Sequence, residues 1–379
     1  MVETKFKEDY ELSNYFKKTK KKLIFGFSIF LGNNISANEE NWIEQMTKIG
    51  FKKVFTSVHI PEENTDLVKN NLIILASLCK KKNLELHIDT SKDTLYKMGY
   101  GLNNIEDLLE IGVTGVRMDY GIDNEYIAKL SKLMTVSINA STILEEDFLE
   151  LEKYGSNFKN IIAWHNYYPK PYSALEDKWF ALKNKWIREN YNIPIYAFIQ
   201  GDSNQRGPLK KGLPTIESQR NKKPFISALE LKNRYFIDGV FIGDPGLTEI
   251  SMKLFKEFIE NETITVPVKW HVNKEYKDNI NSVFHNRRDF SGNIIRAEES
   301  RLKNWFAIKP SNTSIRKIGD ITVDNDLANR YAGEINIIKK ELPADDSINI
   351  IGKVEKDYLD LLPYIGAGEK FKMEEINEK

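Results

Sequence analysis

Short apolar runs that end in polar residues recur along the first two thirds of the chain. The run from Val113 to Met118, which is broken by Gly115, is typical, because it is followed by the acid Asp119. Such a run predicts a buried strand that opens into a loop. Helical patterns follow the runs in alternation. The predicted strands, the first written with its loop, are 23–34, 53–59, 84–89, 116–119, 134–140, 161–164, 195–200 and 239–242.

Eight strand and helix pairs indicate an α/β fold, a closed (β/α)8 TIM barrel of about 250 residues. An open doubly wound sheet is the rival fold, but no glycine-rich G-x-G-x-x-G turn follows the first strand. From about Ile264 the helical pattern gives way to short alternating runs, which predict a small all-β domain. The predicted organisation is a charged leader at 1–22, the barrel at 23–262, the β domain at 263–367 and a polar tail at 368–379.

Composition restricts the partners of the chain. Its 379 residues hold 55 Lys plus Arg and 55 Asp plus Glu, a formal net charge of +0. A neutral chain gives no electrostatic reason to expect nucleic acid or a membrane surface as partner. The single cysteine, Cys79, excludes a disulfide within the chain and suits the cytoplasm, where we expect the protein. We expect no cofactor, and the sequence leaves the oligomeric state open, a homo-oligomer included.

Polar groups follow nearly every predicted strand, and the carboxyl ends of barrel strands form the active site. Several carboxylates that converge on one pocket suit glycoside hydrolysis, in which one acid protonates the leaving oxygen and another attacks or activates water. Mutual repulsion between the acids would keep one of them protonated. Any single acid could instead cap a helix. The residues expected at this mouth are Glu62, Glu63, Asp89, Asp119, Asn139, His165, Asn166, Asp202 and Asp244.

A divalent metal site would use some of the same groups. His59, His87 and His165 could bind a cation together with Asp89 or Asp119. The chain contains no H-E-x-x-H or H-x-H motif. We therefore expect no catalytic metal.

The segment after the seventh strand, Gly201 to Arg220, is long and rich in glycine and proline. Loops at this place in a barrel often bind phosphate, and arginine can hold a phosphate with two parallel hydrogen bonds. Arg206 and Arg220 are the candidates, and the alternative is a solvated charged loop. The preceding loop carries Tyr167, Tyr168 and Tyr172, which could stack on sugar rings or pack the rim.

Several strings occur together in one order: SVHIPEE, GVRMDYG, SINAST, HNYYPKPYSAL, RGPLKKGLPTIESQR and GDPG, then HNRRD, IIRAEESR and GDITVDN. This set resembles the bacterial 6-phospho-N-acetylmuramidase family over roughly residues 23 to 365. The resemblance implies a TIM barrel followed by a cyclophilin-like β domain. It also implies cleavage of a 6-phosphorylated N-acetylmuramic acid β-1,4 N-acetylglucosamine disaccharide, in the cytoplasm, during peptidoglycan recycling.

We therefore expect a glycosidase whose partner is a phosphorylated amino-sugar disaccharide. Asp119 with Glu62 or Asp89 would be the catalytic acids, unless the substrate's own acetamido oxygen is the nucleophile. His165, Asn166 and Asn139 would position the sugar, while Arg206 and Arg220 would bind the phosphate or the lactyl carboxylate. The remaining expected binding residues are Glu63, Glu217, Asp244, Arg296 and Arg301. A sugar-phosphate lyase or isomerase and a non-catalytic sugar-phosphate sensor are the alternatives. The stereochemical outcome of hydrolysis stays open.

Overall fold

The computed structural model describes residues 22–58, 65–118, 123–271, 277–303 and 305–376. Within the described residues the chain divides into two compact units, with the division between Thr248 and Glu249. We call them the barrel unit and the sheet unit. Among the described residues, no helix is both long enough and apolar enough to cross a membrane.

Eight parallel strands close the barrel unit, and each pairs with the next in chain order until β8 returns to β1. The predicted TIM barrel is therefore confirmed. The strands are β1 Ile24–Ser28, β2 Lys53–Ser57, β3 Glu85–Thr90, β4 Val113–Met118, β5 Thr135–Asn139, β6 Ile161–Trp164, β7 Ile195–Ile199 and β8 Gly239–Ile242.

Helices alternate with these strands: α1 Ala37–Lys48, α2 Thr65–Lys81, α3 Lys92–Lys97, α4 Ile105–Ile111, α5 Asn124–Ser131, α6 Glu145–Lys153, α7 Asp177–Tyr191 and α8 Pro224–Arg234. Local sequence sets where they begin. Ser36 accepts the backbone N–H of Asn38 at 3.2 Å, and Glu39 accepts the backbone N–H of Ser36 at 2.9 Å. This reciprocal capping box starts α1.

Aromatic side chains fill the barrel below its mouth. Trp164 is fully buried, and its ring centroid lies 5.2 Å from that of Phe55 and 4.2 Å from that of Phe241. Glycine makes room for these rings, since a Cβ at Gly26 would lie 2.1 Å from the Phe241 ring. These packed rings therefore form the floor of the barrel mouth.

The sheet unit begins with α9, Glu249–Asn261, and contains a seven-stranded sheet ordered β10-β15-β9-β14-β12-β13-β11, which forms a small barrel-like domain. Its strands are β9 Thr263–Trp270, β10 Val283–His285, β11 Ile294–Arg296, β12 Asp320–Asp324, β13 Ile335–Ile338, β14 Ile348–Val354 and β15 Lys370–Glu375, and the short helix α10 is Lys277–Ile280.

Two boundaries differ from expectation. The helix α9, which we placed in the barrel domain, groups with the sheet unit. Its Lys253 and Glu257 pair with Glu374 and Lys372 of β15, at 2.6 and 2.8 Å. The expected polar tail, 368–379, contains β15, which pairs in parallel with β9. Treating this segment as a tail was wrong, because its alternate residues Phe371 and Met373 are buried in the sheet.

Candidate active site

Asp89 and Arg117 lie side by side at the mouth of the barrel unit. They are register partners on β3 and β4. Asp89 follows His87 by two residues, so both side chains lie on one face of β3, and the His87 ring packs against Trp164 in the barrel interior. Arg117 Nη1 donates to Asp89 Oδ1 at 2.6 Å, and Nη2 donates to Asn166 Oδ1. We call these three residues the mouth cluster.

The ion pair of the mouth cluster is largely buried. The side chain of Arg117 is 3% exposed and that of Asp89 is 14% exposed. A buried guanidinium stabilises the negative charge of a carboxylate that accepts its hydrogen bond. The structure therefore brings Asp89 and Asn166 together, as the sequence predicted. Arg117, which joins them, was missed. A charged residue inside an apolar strand was the available signal, because such residues are rarely buried without a partner.

His165 is enclosed by protein groups. Its side chain is fully buried and packs 4.6 Å from Phe180 of α7. Nδ1 lies 3.1 Å from Ser141 Oγ, and Nε2 lies 2.7 Å from Asn184 Oδ1. Burial lowers the pKa of His165 to about 3, so the ring is neutral. The expectation that His165 contacts sugar hydroxyls is not supported, because both nitrogens are used within the protein.

Ser141 links His165 back to the mouth. Its hydroxyl accepts the backbone N–H of Asn166 at 3.1 Å, and its own backbone N–H donates to Asn139 Oδ1 at 3.0 Å. Asn139 and Asn166 are thus held at the ends of β5 and β6 by local hydrogen bonds. Their expected part in positioning the sugar stays a prediction.

Asp244 holds the segment after β7 in place. Its carboxylate is fully buried and accepts the backbone N–H groups of Gly201, Leu213 and Arg206 at 2.9, 3.1 and 3.0 Å. Burial raises the pKa of Asp244, while these hydrogen bonds oppose the rise. The expected direct contact of Asp244 with substrate is not supported, since its oxygens already serve these three amides.

Arg220 and Glu217 form a second internal tie. Arg220 donates to both Glu217 oxygens, at 2.6 and 2.9 Å. Its other donors reach the carbonyl oxygens of Lys211, Gly212, Tyr168 and Lys170. The hydrogen bonds that Glu217 accepts from Arg220 lower the pKa of Glu217 to about 2. Arg220 therefore joins the loops after β6 and β7, and the geometry leaves it no donor for the expected phosphate.

Arg206, unlike Arg220, contacts aromatic side chains. The backbone N–H of Arg206 is held by Asp244, and its Cζ lies 3.9 Å from the centroid of the Phe30 ring. Nη1 donates to Tyr167 Oη at 3.0 Å. Within the described ranges, no carboxylate forms an ion pair with Arg206. It is a half-buried cation in the loop after β7, beside the residue that follows Asn166.

Arg296 and Arg301 belong to the sheet unit. Arg296 Nε lies 3.2 Å from Glu334 Oε1, and Arg301 Nε lies 3.4 Å from Glu334 Oε2. Arg296 also pairs with Asp289 at 3.3 Å. Both arginines therefore pair with acids of their own unit, and their expected part in binding the substrate stays a prediction.

Three expected site residues, Glu62, Glu63 and Asp119, lie outside the described residues, as does His59. Among the residues that are described, no three His, Cys, Asp or Glu side chains are grouped so that they could hold a metal ion. His87 lies in the barrel interior and is fully buried, where burial lowers its pKa.

These observations define a class: a (β/α)8 barrel whose mouth presents a buried carboxylate–guanidinium pair, amide side chains and a nearby arginine. Such a mouth suits a polar, anionic small molecule. Models of one family match nearly the whole chain. The N-terminal model of 6-phospho-N-acetylmuramidase matches residues 25–257, and the C-terminal model matches residues 263–374. The chain belongs to the 6-phospho-N-acetylmuramidase family, which confirms the resemblance.

Two solved structures share the fold of this chain. A conserved Enterococcus faecalis protein of unknown function is 33% identical, with a TM-score of 0.84, over 93% of this chain and 96% of that one. An uncharacterised B. cereus protein is 22% identical, with a TM-score of 0.76, over 93% of this chain and 100% of that one, and it supports the fold alone. No curated protein matches the chain. The family name implies a glycosidase.

Proposed function

We propose that this chain hydrolyses the β-1,4 bond between 6-phospho-N-acetylmuramic acid and N-acetylglucosamine. The observation that carries the proposal is the mouth cluster of the barrel unit, in which Asp89 is paired with Arg117 in a chain of this family. Hydrolysis of a glycoside needs two carboxyl groups with different protonation states. The pair supplies one of them.

Asp89 is proposed as the ionised member, because the buried guanidinium stabilises its negative charge. It would attack the anomeric carbon, activate water or orient the acetamido group of the substrate. The acid that protonates the leaving oxygen must then be a different residue. We propose Asp119 for that role, with Glu62 as the alternative, from their places after β4 and β2 in the sequence.

Asn166 is proposed to position the sugar. Its Oδ1 accepts from Arg117, and its Nδ2 donates to no residue in the described ranges. That amide would donate to a hydroxyl or acetamido oxygen. Asn139 is proposed for a similar role at the end of β5. We further propose that the reaction takes place in the cytoplasm, during peptidoglycan recycling, where an imported fragment already carries its phosphate.

The test is to incubate the protein with the phosphodisaccharide and measure released N-acetylglucosamine. Asp119→Asn and Asp89→Asn should each lower turnover by about 100-fold or more, the usual size of an acid–base contribution. Asp93→Asn is the matched control, because it removes an exposed carboxylate at the start of α3, just after β3, and should leave turnover unchanged. Unchanged turnover in Asp119→Asn would remove that residue from the mechanism.

The same assay addresses the alternatives. A protein that binds the phosphodisaccharide without turnover would be a sensor, and an unsaturated or rearranged sugar would indicate a lyase or isomerase. Either result contradicts the hydrolase proposal.

A further inference from the structure

Tyr167 stands between the mouth cluster and Arg206. Its ring packs edge to face against Phe55 and Phe198 of the barrel floor, with centroids 6.2 and 5.1 Å apart. Packing on two sides fixes the ring and therefore the direction of its hydroxyl. Tyr167 Oη accepts a hydrogen bond from Arg206 Nη1 at 3.0 Å. Packing against the barrel floor therefore fixes the ring, and the phenolic hydroxyl is the part of Tyr167 that can bind a ligand.

The phenolic hydrogen of Tyr167 is an uncommitted donor. Burial raises the pKa of Tyr167 above its usual range, so the group is protonated at neutral pH. Because the oxygen already accepts from Arg206, the hydrogen must point elsewhere. In the part of the chain that the structure describes, no residue accepts it. Tyr167 Oη and Arg206 Nη1 thus lie 3.0 Å apart, and each side chain keeps a donor that no described residue accepts.

Arg206 is preorganised on three sides. The Phe30 ring lies under its guanidinium, Tyr167 accepts from Nη1, and Asp244 accepts from its backbone N–H. Nε and Nη2 donate to no residue among those described. Arg220, 14 residues later in the chain, instead donates its hydrogen bonds to Glu217 and to loop carbonyl oxygens. A fixed guanidinium with a free edge can bind an oxyanion through two parallel hydrogen bonds.

We propose that Tyr167 and Arg206 together bind the 6-phosphate of the sugar, with the phenolic O–H and the guanidinium donating to separate phosphate oxygens. This inference rests on the proposed function. A phosphate monoester is favoured as the occupant because it offers several oxygens to donors that arrive from two loops. Loops after the later strands of barrels are also the usual phosphate site. The two residues determine specificity and do not touch the bond that is cleaved.

The test compares phosphorylated and unphosphorylated disaccharides. Arg206→Gln should lower kcat/KM for the phosphorylated substrate by about 100-fold, and Tyr167→Phe by about 10-fold, as expected for hydrogen bonds to a charged group. Both variants should change kcat/KM for the unphosphorylated substrate less than about twofold, because that substrate has no phosphate for the two residues to bind. Lys210→Gln removes a charge from the same loop, and Tyr154→Phe removes a surface hydroxyl. These controls should behave as wild type.

A binding measurement separates this site from the reaction. Titration calorimetry with 6-phospho-N-acetylmuramic acid, and with the unphosphorylated sugar, needs no turnover. If wild type hydrolyses neither disaccharide but binds the phosphosugar more weakly after Tyr167→Phe and Arg206→Gln, the site stands and the hydrolase proposal fails. If wild type hydrolyses the phosphodisaccharide and both variants lose the two substrates equally, or lose neither, the phosphate site is overturned and the hydrolase proposal stands.

Discussion

Arg117 connects the residues of the mouth cluster. It donates from β4 to Asp89 in β3 and to Asn166 after β6, so it joins two predicted site residues. Its side chain is 3% exposed. Removing one partner of a buried ion pair leaves the other charge without compensation, which costs about 3–5 kcal/mol.

Arg117→Met should therefore lower the free energy of unfolding by about 3 kcal/mol, because Asp89 would keep a partly buried charge. The double variant Arg117→Met, Asp89→Asn should recover part of that loss, since the uncompensated carboxylate is gone. Urea unfolding of the two single variants and the double variant gives the coupling energy. Strictly additive losses would show that the pair does not act as a unit.

Which polar residue faces the mouth could not be predicted from its place after a strand. His165 and Asn166 are neighbours, yet one packs toward α7 and the other meets Arg117. Side chains alternate across a strand, so a one-residue uncertainty in where the strand ends exchanges the two roles. The loop contacts of Asp244 and Arg220 could not be predicted for another reason. Both bond to backbone groups of loops, whose paths the sequence pattern does not give.

At the scale of elements, the loops after β6 and β7 are tied to one another. Arg220 joins Glu217, the carbonyl oxygens of Tyr168 and Lys170, and those of Lys211 and Gly212. Thr215 adds a bond from its Oγ1 to the carbonyl oxygen of Asn166 at 2.8 Å. The segment that could have been a solvated charged loop is therefore attached to the rim, and it carries Arg206 with it.

Arg220→Gln should loosen this rim and lower the free energy of unfolding by about 2 kcal/mol, through lost charged hydrogen bonds. Limited proteolysis should also cut residues 201–220 faster. Lys211→Gln is the matched control, since Lys211 takes part in this tie through its backbone carbonyl, which the substitution keeps. Equal protease resistance of Arg220→Gln and wild type would contradict the tie.

The pH dependence of this tie follows from the same contact. Arg220 lowers the pKa of Glu217 from 4.5 to about 2. The contact between the two residues therefore stabilises the folded protein fully above pH 4.5. This stabilisation is lost as the pH falls through about 2, because the carboxylate is then protonated in the folded protein too. The stability difference between wild type and Arg220→Gln should therefore be constant from about pH 7 to 5 and should shrink below about pH 4.

At the scale of the whole molecule, strand and helix alternation was enough to predict the closed barrel, and all eight predicted strands overlap the observed ones. The topology of the sheet unit was not predictable in the same way. Its strand β15 comes last in the chain but lies between β9 and β10. Local alternation shows that a segment can be a strand, but it does not identify the strand's neighbours.

Deleting the chain from Lys370 onward should unfold the sheet unit, because it removes an interior strand and buried Phe371 and Met373. Deletion after Ile376 keeps β15 and is the control. Thermal unfolding followed by circular dichroism should show loss of β structure in the first variant alone. A folded sheet unit in both variants would contradict the interior position of β15.

Hydrolysis of the phosphodisaccharide in water enriched in oxygen-18, followed by mass spectrometry at early times, tests most directly whether the chain is a hydrolase. Wild type should release unlabelled N-acetylglucosamine and 6-phospho-N-acetylmuramic acid that carries one heavy oxygen, because water attacks the anomeric carbon in hydrolysis. Asp89→Asn should release neither at a comparable rate. Unlabelled or unsaturated phosphosugar would contradict hydrolysis at the anomeric carbon, and equal release by Asp89→Asn would contradict a catalytic role for Asp89.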